Sequence, residues 1–333
     1  MNRRDVSADA QATLLLTAHL GGLSGSLQPA SLSEYNLIAR ALHSVELRPA
    51  SLVDSAPNAT ALQCVSEVIG DERAKHLLSR SLLLATEISS WQSLGVWVLA
   101  RGDHDYPEHF RTRMGSKAPP LLFGVGSQEL LEGLGLGVVG SRDLDEDGAS
   151  FAAEAGASAA RAGITLVSGA AQGADRSAMS GALEAGGKSV GILSDSLKKA
   201  AISSDSRSFI EEGQLTLISQ SEPGQHFTVW RAMDRNKLIY ALAFATLVVE
   251  SNKGKGGTWE GAREQLQKLH YCDVYVRMTT PQSPGRKALE SLGAKPWSVT
   301  SSEALGELKE ASAETSPPAP ERVLAQQLNL LDF

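Results

Sequence analysis

Cysteine is nearly absent from this chain, and its absences narrow the field first. Cys64 and Cys272 are the only two cysteines, too few and too far apart for a disulfide framework or a metal site, so both read as buried reduced thiols. The seven histidines are scattered, no His or Cys pair has zinc-ligand spacing, and no GlyxxxxGlyLysSer/Thr phosphate loop occurs. A resident metal, a cofactor and an ATP-driven machine are therefore not expected. No run approaches the roughly 18 to 20 apolar residues that cross a bilayer, and the opening MetAsnArgArgAspVal has neither the apolar stretch nor the cleavage site of a secretory signal. The expectation is a cytoplasmic protein without membrane contact.

With 42% hydrophobic and 21% charged residues over 333 positions, the chain is long enough for about two ordinary domains with real cores. Its net charge of −7 argues only superficially against nucleic acid. Residues 301–333 hold Glu303, Glu307, Glu310, Glu314, Glu321 and Asp332 against Lys309 and Arg322, so four of the seven excess negative charges sit in the last segment. The body is then close to neutral, which permits a local basic groove.

Residues 1–90 read as a helical module. Apolar positions cluster at Leu14, Leu15, Ala18 and Leu20, then at Leu37, Ile38, Ala41 and Leu42 after Ser33, and at Leu77, Leu78, Leu82 and Leu83 after Asp71. From residue 95 the grammar changes. Short strands at 96–99 and 120–124 lead into strands at 136–139, 164–167, 189–193, 215–218, 246–249 and 273–276, which alternate with helical patterns. That alternation predicts an α/β domain over 95–299, an extended Rossmann-like, doubly wound and mostly parallel sheet. Residues 300–323, rich in Ser, Ala, Glu and Pro, read as a disordered linker. Residues 324–333 read as a short apolar peptide on a disordered C-terminal tail.

Three loops carry the chemistry: Gly137-Val138-Val139-Gly140-Ser141-Arg142, Ser168-Gly169-Ala170-Ala171-Gln172-Gly173-Ala174-Asp175, and Gly254-Lys255-Gly256-Gly257-Thr258-Trp259-Glu260. Each follows an aliphatic run and precedes a helix, so each would bring backbone N–H groups and a helix N-terminus to one edge of a parallel sheet, where anions bind. Arg142 would fork onto a phosphate presented at the helix starting near Asp147. Gly169 and Gly173 would let amides approach an anion, and otherwise make a tight turn. Asp175 reads as a cap or a loop-orienting group. Trp259 reads as core, with a base-stacking face as the alternative.

At these residues the chain resembles the DNA-processing protein A family (DprA, also called Smf). The resemblance rests on Gly140-Ser141-Arg142, on Ser168 to Asp175, on Arg235-Asn236-Lys237-Leu238-Ile239 opening a helix, and on Val249-Glu250-Ser251 followed by the Gly-rich loop. Asp105-Tyr106-Pro107 and Pro119 to Gly124 are similar to the family's lead-in, so the likeness covers about residues 95–280. Departures mark a divergent member. Met179 stands where a histidine often ends the second motif, a tyrosine-proline segment is not recognisable in 195–206, Lys253-Gly254-Lys255-Gly256-Gly257 replaces a Gly-Ser-Gly-Ser loop, and a C-terminal winged helix has no room.

The resemblance implies a protein that binds single-stranded DNA without catalysis, protects it, and hands it to a RecA-type recombinase during DNA uptake or recombination, usually as a homodimer. The alternative it implies is a role as regulator of an effector in a phage-defence or toxin–antitoxin module. Phosphates would meet Ser141, Arg142, Ser168, Gly169, Gln172, Gly173, Arg235, Asn236, Lys237, Lys253, Lys255, Gly256, Gly257 and Thr258. A rival reading comes from Gly256 to Glu260, which is similar to the loop of the lysine-decarboxylase-like (LOG) nucleoside-monophosphate hydrolases, in which Glu260 would assist N-glycosidic cleavage. The leading proline of that loop is absent here and one glycine is missing, and Glu260 also suits a helix N-terminus. Finally, Gln327, Leu328, Leu330, Leu331 and Phe333 resemble peptides that dock on the replicative sliding clamp; the alternative is a tail folded onto its own domain.

Overall fold

The computed structural model describes residues 5–20, 27–54, 58–194, 197–278, 283–299 and 301–315. The peptide at Gln327, Leu328, Leu330, Leu331 and Phe333 lies outside the described residues. Among those described, no helix is long and apolar enough to cross a membrane. The chain divides into two compact units, one of residues up to Gly124 with Gln220–Gly224, the other of Val125–Ser219 with the described residues from Gln225 onward.

The first unit holds helices α1 (Ala8–Thr17), α2 (Leu32–Ser44), α3 (Ala59–Ile69), α4 (Asp71–Leu78) and α5 (Ser81–Ser93), then β1 (Trp97–Ala100), α6 (Glu108–Met114) and β2 (Leu121–Val125). Leu16, Ile38, Leu42 and Val65 are fully buried at its centre. The expected helix start near Ser33 is fixed by a capping box in which Ser31 and Glu34 satisfy each other's backbone N–H. Two expectations need correction. The run from Asp71 to Leu83 is broken at Arg80, whose buried guanidinium donates to the carbonyls of Leu15, Ala18, Leu20 and Leu77. That inward turn caps the end of α1 and leaves Leu82 and Leu83, taken as core, 80% and 50% exposed. Second, the units part after Gly124 rather than at 90–95. Trp91 of α5 meets Phe123 of β2 edge-on at 5.4 Å, and the indole of Trp97 covers Gly124, where a Cβ would lie 2.2 Å from it.

The second unit contains β3 (Gly135–Val139), α7 (Glu146–Arg161), β4 (Leu166–Ser168), α8 (Ala174–Glu184), β5 (Ser189–Ile192), α9 (Leu197–Ala201), α10 (Ser204–Glu211), β6 (Leu215–Ser219), α11 (Val229–Ala241), β7 (Ala243–Val248), α12 (Gly256–Glu264), β8 (Asp273–Val276), α13 (Pro284–Ser291), β9 (Lys295–Pro296) and α14 (Ser302–Thr315). Its strands follow the order β6-β5-β4-β3-β7-β8-β9, and every one of these pairings is parallel. The inner strands are buried along their whole length, as strands covered on both faces must be. Right-handed crossovers put α7 and α8 on one face and α11 and α12 on the other. This is the doubly wound sheet that the strand–helix alternation predicts.

The expected disorder from residue 300 does not hold over 302–315, where α14 packs on α7 and β7. Every residue of β7 is buried, and α14 supplies cover on the α7 side through Leu305, 1% exposed. Composition hid this, because one buried leucine can dock a helix on a preformed face without a continuous apolar stripe. Residues 316–323 of the expected linker lie outside the described residues.

Two outcomes test this architecture. Leu305→Ala should cost about 2 to 4 kcal/mol in denaturant unfolding; an unchanged midpoint would mean that α14 is not docked. In the first unit, Arg73 bonds both Glu34 oxygens, at 2.7 and 3.1 Å, and these bonds hold the Glu34 carboxyl down at about 2. The folded value lies below the unfolded one, so this pair stabilises fully above pH 4.5 and is lost as pH falls towards 2. Arg73→Leu should therefore lower stability at pH 7 by on the order of 1 kcal/mol and flatten the decline of Tm below pH 4.5.

Candidate nucleic-acid interface

The chain runs outward from β3 through β4 and β5 to β6, then returns to the other side of β3 at β7. Strand order reverses between β3 and β7, and the crevice opened by such a reversal is where open α/β sheets bind ligands. The three loops of interest all leave carboxyl ends of strands at this place. They are sewn together by backbone and hydroxyl bonds: Ser141 N–H to the Glu250 carbonyl at 3.0 Å, Ala174 N–H to the Ser141 carbonyl at 3.2 Å, and the Thr258 hydroxyl to the Gly140 carbonyl at 2.8 Å.

The floor of the site is a buried ion pair. Arg235 Nη1 lies 3.6 Å from Asp175 Oδ2, with the two side chains 8% and 7% exposed. Asp175 also accepts the N–H groups of Ala171, at 3.4 Å, and of Gly140. Burial pushes its carboxyl above the usual range while Arg235 opposes the shift. Gly169 has to be glycine, since a Cβ there would fall 1.1 Å from Arg235 Nη1. Gly173, at φ +80°, lies against the Ser141 carbonyl, 2.3 Å from where its Cβ would be. Ala170 between them is held at φ +53°, a left-handed conformation that costs an L-residue on the order of 1 kcal/mol.

This geometry re-sorts the expected phosphate ligands. Arg235 is not a surface cation, because its charge is committed to Asp175 beneath the loop. Ser168 is fully buried, and its hydroxyl donates to the Val138 carbonyl at 2.7 Å. Asn236 points its amide at the Gly257 carbonyl, 3.0 Å away, which ties α11 to the start of α12. Lys237 pairs with Asp234 at 2.8 Å. Thr258 donates its hydroxyl to Gly140, so these five already have partners within the fold. Asp175 orients the loop, and the cap position of α8 belongs to Gly173. The α7 N-terminus offers no phosphate seat, since Asp145 already caps the Gly148 N–H at 2.7 Å and Glu146 and Asp147 fill the first turn.

Exposed at the rim are Arg142, Gln172, Lys253, Lys255, Gly256 and Gly257, with Ser141 half-buried. The N-terminus of α12 has no side-chain cap, so its first amides and the two lysines present positive potential on the β7 side. Trp259 is 7% exposed and belongs to the core, as expected. Glu260 pairs with Arg263 on its own helix at 2.5 Å. Cys64 is buried and Cys272 only partly so.

Sequence reasoning overlooked Arg176, exposed in the first turn of α8, and two aromatics, Phe227 and Trp230, which are 46% and 80% exposed. The Arg142 guanidinium stands 5.7 Å from the centroid of the Phe227 ring. A helical wheel of α11 would have found Trp230, because Leu238 and Ile239 face the core and positions 230, 234 and 237 share the opposite stripe.

Comparison with known proteins converges on the same region. A family model described as DNA recombination-mediator protein A matches residues 97–308. The chain belongs to that family. DNA processing protein DprA of Streptococcus pneumoniae is 31% identical over 152 residues, 44% of this chain and 53% of that one; the chain thus spans about half the length of this curated relative. Among solved structures, DprA of Streptococcus pneumoniae superposes with a TM-score of 0.63 at 21% identity, covering 85% of this chain and 98% of the other. DNA processing protein A of Helicobacter pylori, described for its single-stranded DNA binding mode, gives 0.53 at 21% identity and covers 66% and 96%. At that identity the two structures establish the shared fold.

The buried pair makes a sharp expectation. Asp175→Ala would strand the Arg235 charge and should cost about 3 to 5 kcal/mol, and Gly169→Ala should destabilise in the same direction by displacing the guanidinium. Gly133→Ala, with no atom within 4 Å of its added Cβ, serves as the control. Equal Tm values for all three would refute the role of the pair.

Proposed function

We propose that this chain binds single-stranded DNA at the loops that follow β3, β4 and β7, holds it without chemical transformation, and acts as a homodimer to assist loading of a RecA-type recombinase. The observation that carries the reading is the convergence of Arg142, Lys253, Lys255 and the uncapped start of α12 at the strand-order reversal, on a rigid floor, in a member of the DNA recombination-mediator protein A family. Backbone phosphates suit such a rim because separate cations can follow them without reading base identity. The binding mode described for the Helicobacter pylori relative supports the same ligand here. The hydrolase reading is weaker, since Glu260 is neutralised by Arg263 and Asp175, the buried carboxylate beneath the site, serves as a loop anchor.

Fluorescence anisotropy with labelled single- and double-stranded oligonucleotides across a salt series tests the proposal, with adenosine monophosphate as competitor. Three phosphate contacts predict a log-affinity slope near −2 against log salt, about −0.7 per phosphate. Arg142→Glu should weaken binding by roughly 10- to 100-fold, and Lys253→Ala with Lys255→Ala should reduce the slope by about 0.7 each. Parent-like binding by Arg142→Glu would refute the site. Saturable mononucleotide binding without strand binding would move the weight to Glu260 and hydrolysis.

A further inference from the structure

The lysine loop that follows β7 takes its shape from α13. Arg286 is 4% exposed, and its guanidinium is fully engaged. Nη2 lies 3.1 Å from Glu250 Oε2, Nε donates to the Ser283 hydroxyl at 3.1 Å, and Nη1 donates to the Arg277 carbonyl at 3.0 Å. Arg286 therefore adds no free cation to the rim; it ties the ends of β7 and β8 to the start of α13. The Glu250 carboxylate is equally occupied. Its Oε1 accepts the Ser283 hydroxyl at 2.6 Å and the Ser251 N–H at 2.9 Å, which sets the direction of the backbone just before Lys253. Gly285 presses on the same stretch, since a Cβ there would fall 1.7 Å from the Ser251 carbonyl oxygen and 3.1 Å from the Lys253 nitrogen. The chain then closes a tight turn, with the Lys255 N–H on the Asn252 carbonyl at 3.1 Å and Gly254 at φ +73°.

We propose that the Glu250–Arg286 pair is a positioning device of the phosphate rim, fixing the exposed loop of Lys253 and Lys255 before a strand arrives. The inference rests on the single-strand reading above and deepens it. Glu250 stands between the two cationic segments of the rim. Its backbone carbonyl receives the Ser141 N–H at 3.0 Å, one residue ahead of Arg142, while its carboxylate governs the turn into Lys253. A buried ion pair is a poor route to stability alone, because desolvation offsets much of the attraction and apolar residues of similar volume often serve as well. What the pair supplies is geometry, since a planar fork holds several acceptors at defined positions. Lysine side chains are long and flexible, so a strand that met them on a loose loop would have to order backbone and side chains together. A backbone fixed beforehand lowers that cost. Glu250 and Arg286 are positioning residues in this sense, acting on phosphate only through Lys253 and Lys255.

Hydrogen exchange of the full-length chain without DNA, and anisotropy with a single-stranded oligonucleotide, test the inference together. Arg286→Met combined with Glu250→Gln removes the pair without leaving a buried charge unpartnered, and Arg286→Lys keeps the charge but not the fork. In the double variant the amides of Ser251 and Lys255 should exchange about tenfold faster or more while those of β4 keep parent rates. Affinity should fall about fivefold to tenfold with the salt slope near that of the parent, because both lysines still reach phosphates once ordered. Arg286→Lys should fall between the two. The decisive comparison is made in the Lys253→Ala, Lys255→Ala background, where removing the pair should change affinity by less than about twofold. An equal loss in both backgrounds would mean that the pair merely stabilises the fold, and would overturn the inference. So would parent-like exchange at Ser251 and Lys255, or exchange that accelerates equally in β4. Normal strand binding by the parent with unaltered affinity in the double variant would overturn this inference alone, whereas no strand binding by the parent would remove the single-strand reading and this inference with it.

Discussion

The buried pair of Asp175 and Arg235 is the constraint on which the interface depends. A charge taken out of water is tolerated only when its partner and its hydrogen bonds are held in place, so the pair locks whatever it touches. It touches a great deal. Asp175 gathers the N–H groups of Ala171 and Gly140, which belong to the loops after β4 and β3, while Arg235 reaches under Gly169 from α11. The next residue, Asn236, binds the Gly257 carbonyl at the start of α12. Two adjacent residues of one helix therefore register all three loops. A rim assembled in this way can present phosphate ligands without reorganising, which lowers the cost of binding.

The same arrangement explains how an acidic chain can hold a locally positive rim. Charge is segregated around Arg142. On one flank lie Asp145, Glu146 and Asp147, which satisfy and neutralise the start of α7; on the other lie Lys253 and Lys255 beside an uncapped α12. Electrostatics therefore favour an anion on the second flank over the first. Net charge governs solubility and long-range steering, whereas the fields at a crevice are set by the few groups within about a Debye length of it.

Much of the fold was legible in the sequence because its signals are local. The strand positions after residue 135, the helices around 147–162 and 174–185, and the core placement of Trp259 follow from apolar runs, periodicity and caps, and the structure agrees within a few residues. The misses have a common cause. Arg80, Ser168 and Arg235 are polar residues whose destination is the interior, and polarity alone points outward. α14 was missed because a segment rich in Ser, Ala and Glu lacks a continuous apolar stripe, yet Leu305 suffices once β7 exists to receive it. Leu37, Leu82 and Leu83 erred in the other direction, apolar residues left at the surface of a small helical unit.

What the sequence by itself determined is the set of elements and the composition of the loops: glycines, a serine–arginine pair and lysines at the ends of aliphatic strands, in the order a doubly wound sheet requires. Which of those residues face a ligand was decided only by the tertiary structure. Ser168, Arg235, Asn236 and Thr258 share their motifs with Arg142 and Lys255, but they are paired with carbonyls and a carboxylate of the fold, while Phe227, inconspicuous in the sequence, lies against Arg142. The reason is physical. Whether a polar side chain is scaffold or ligand depends on which buried N–H, C=O or charge needs it as a partner, and that demand exists only once strands distant in sequence have come together.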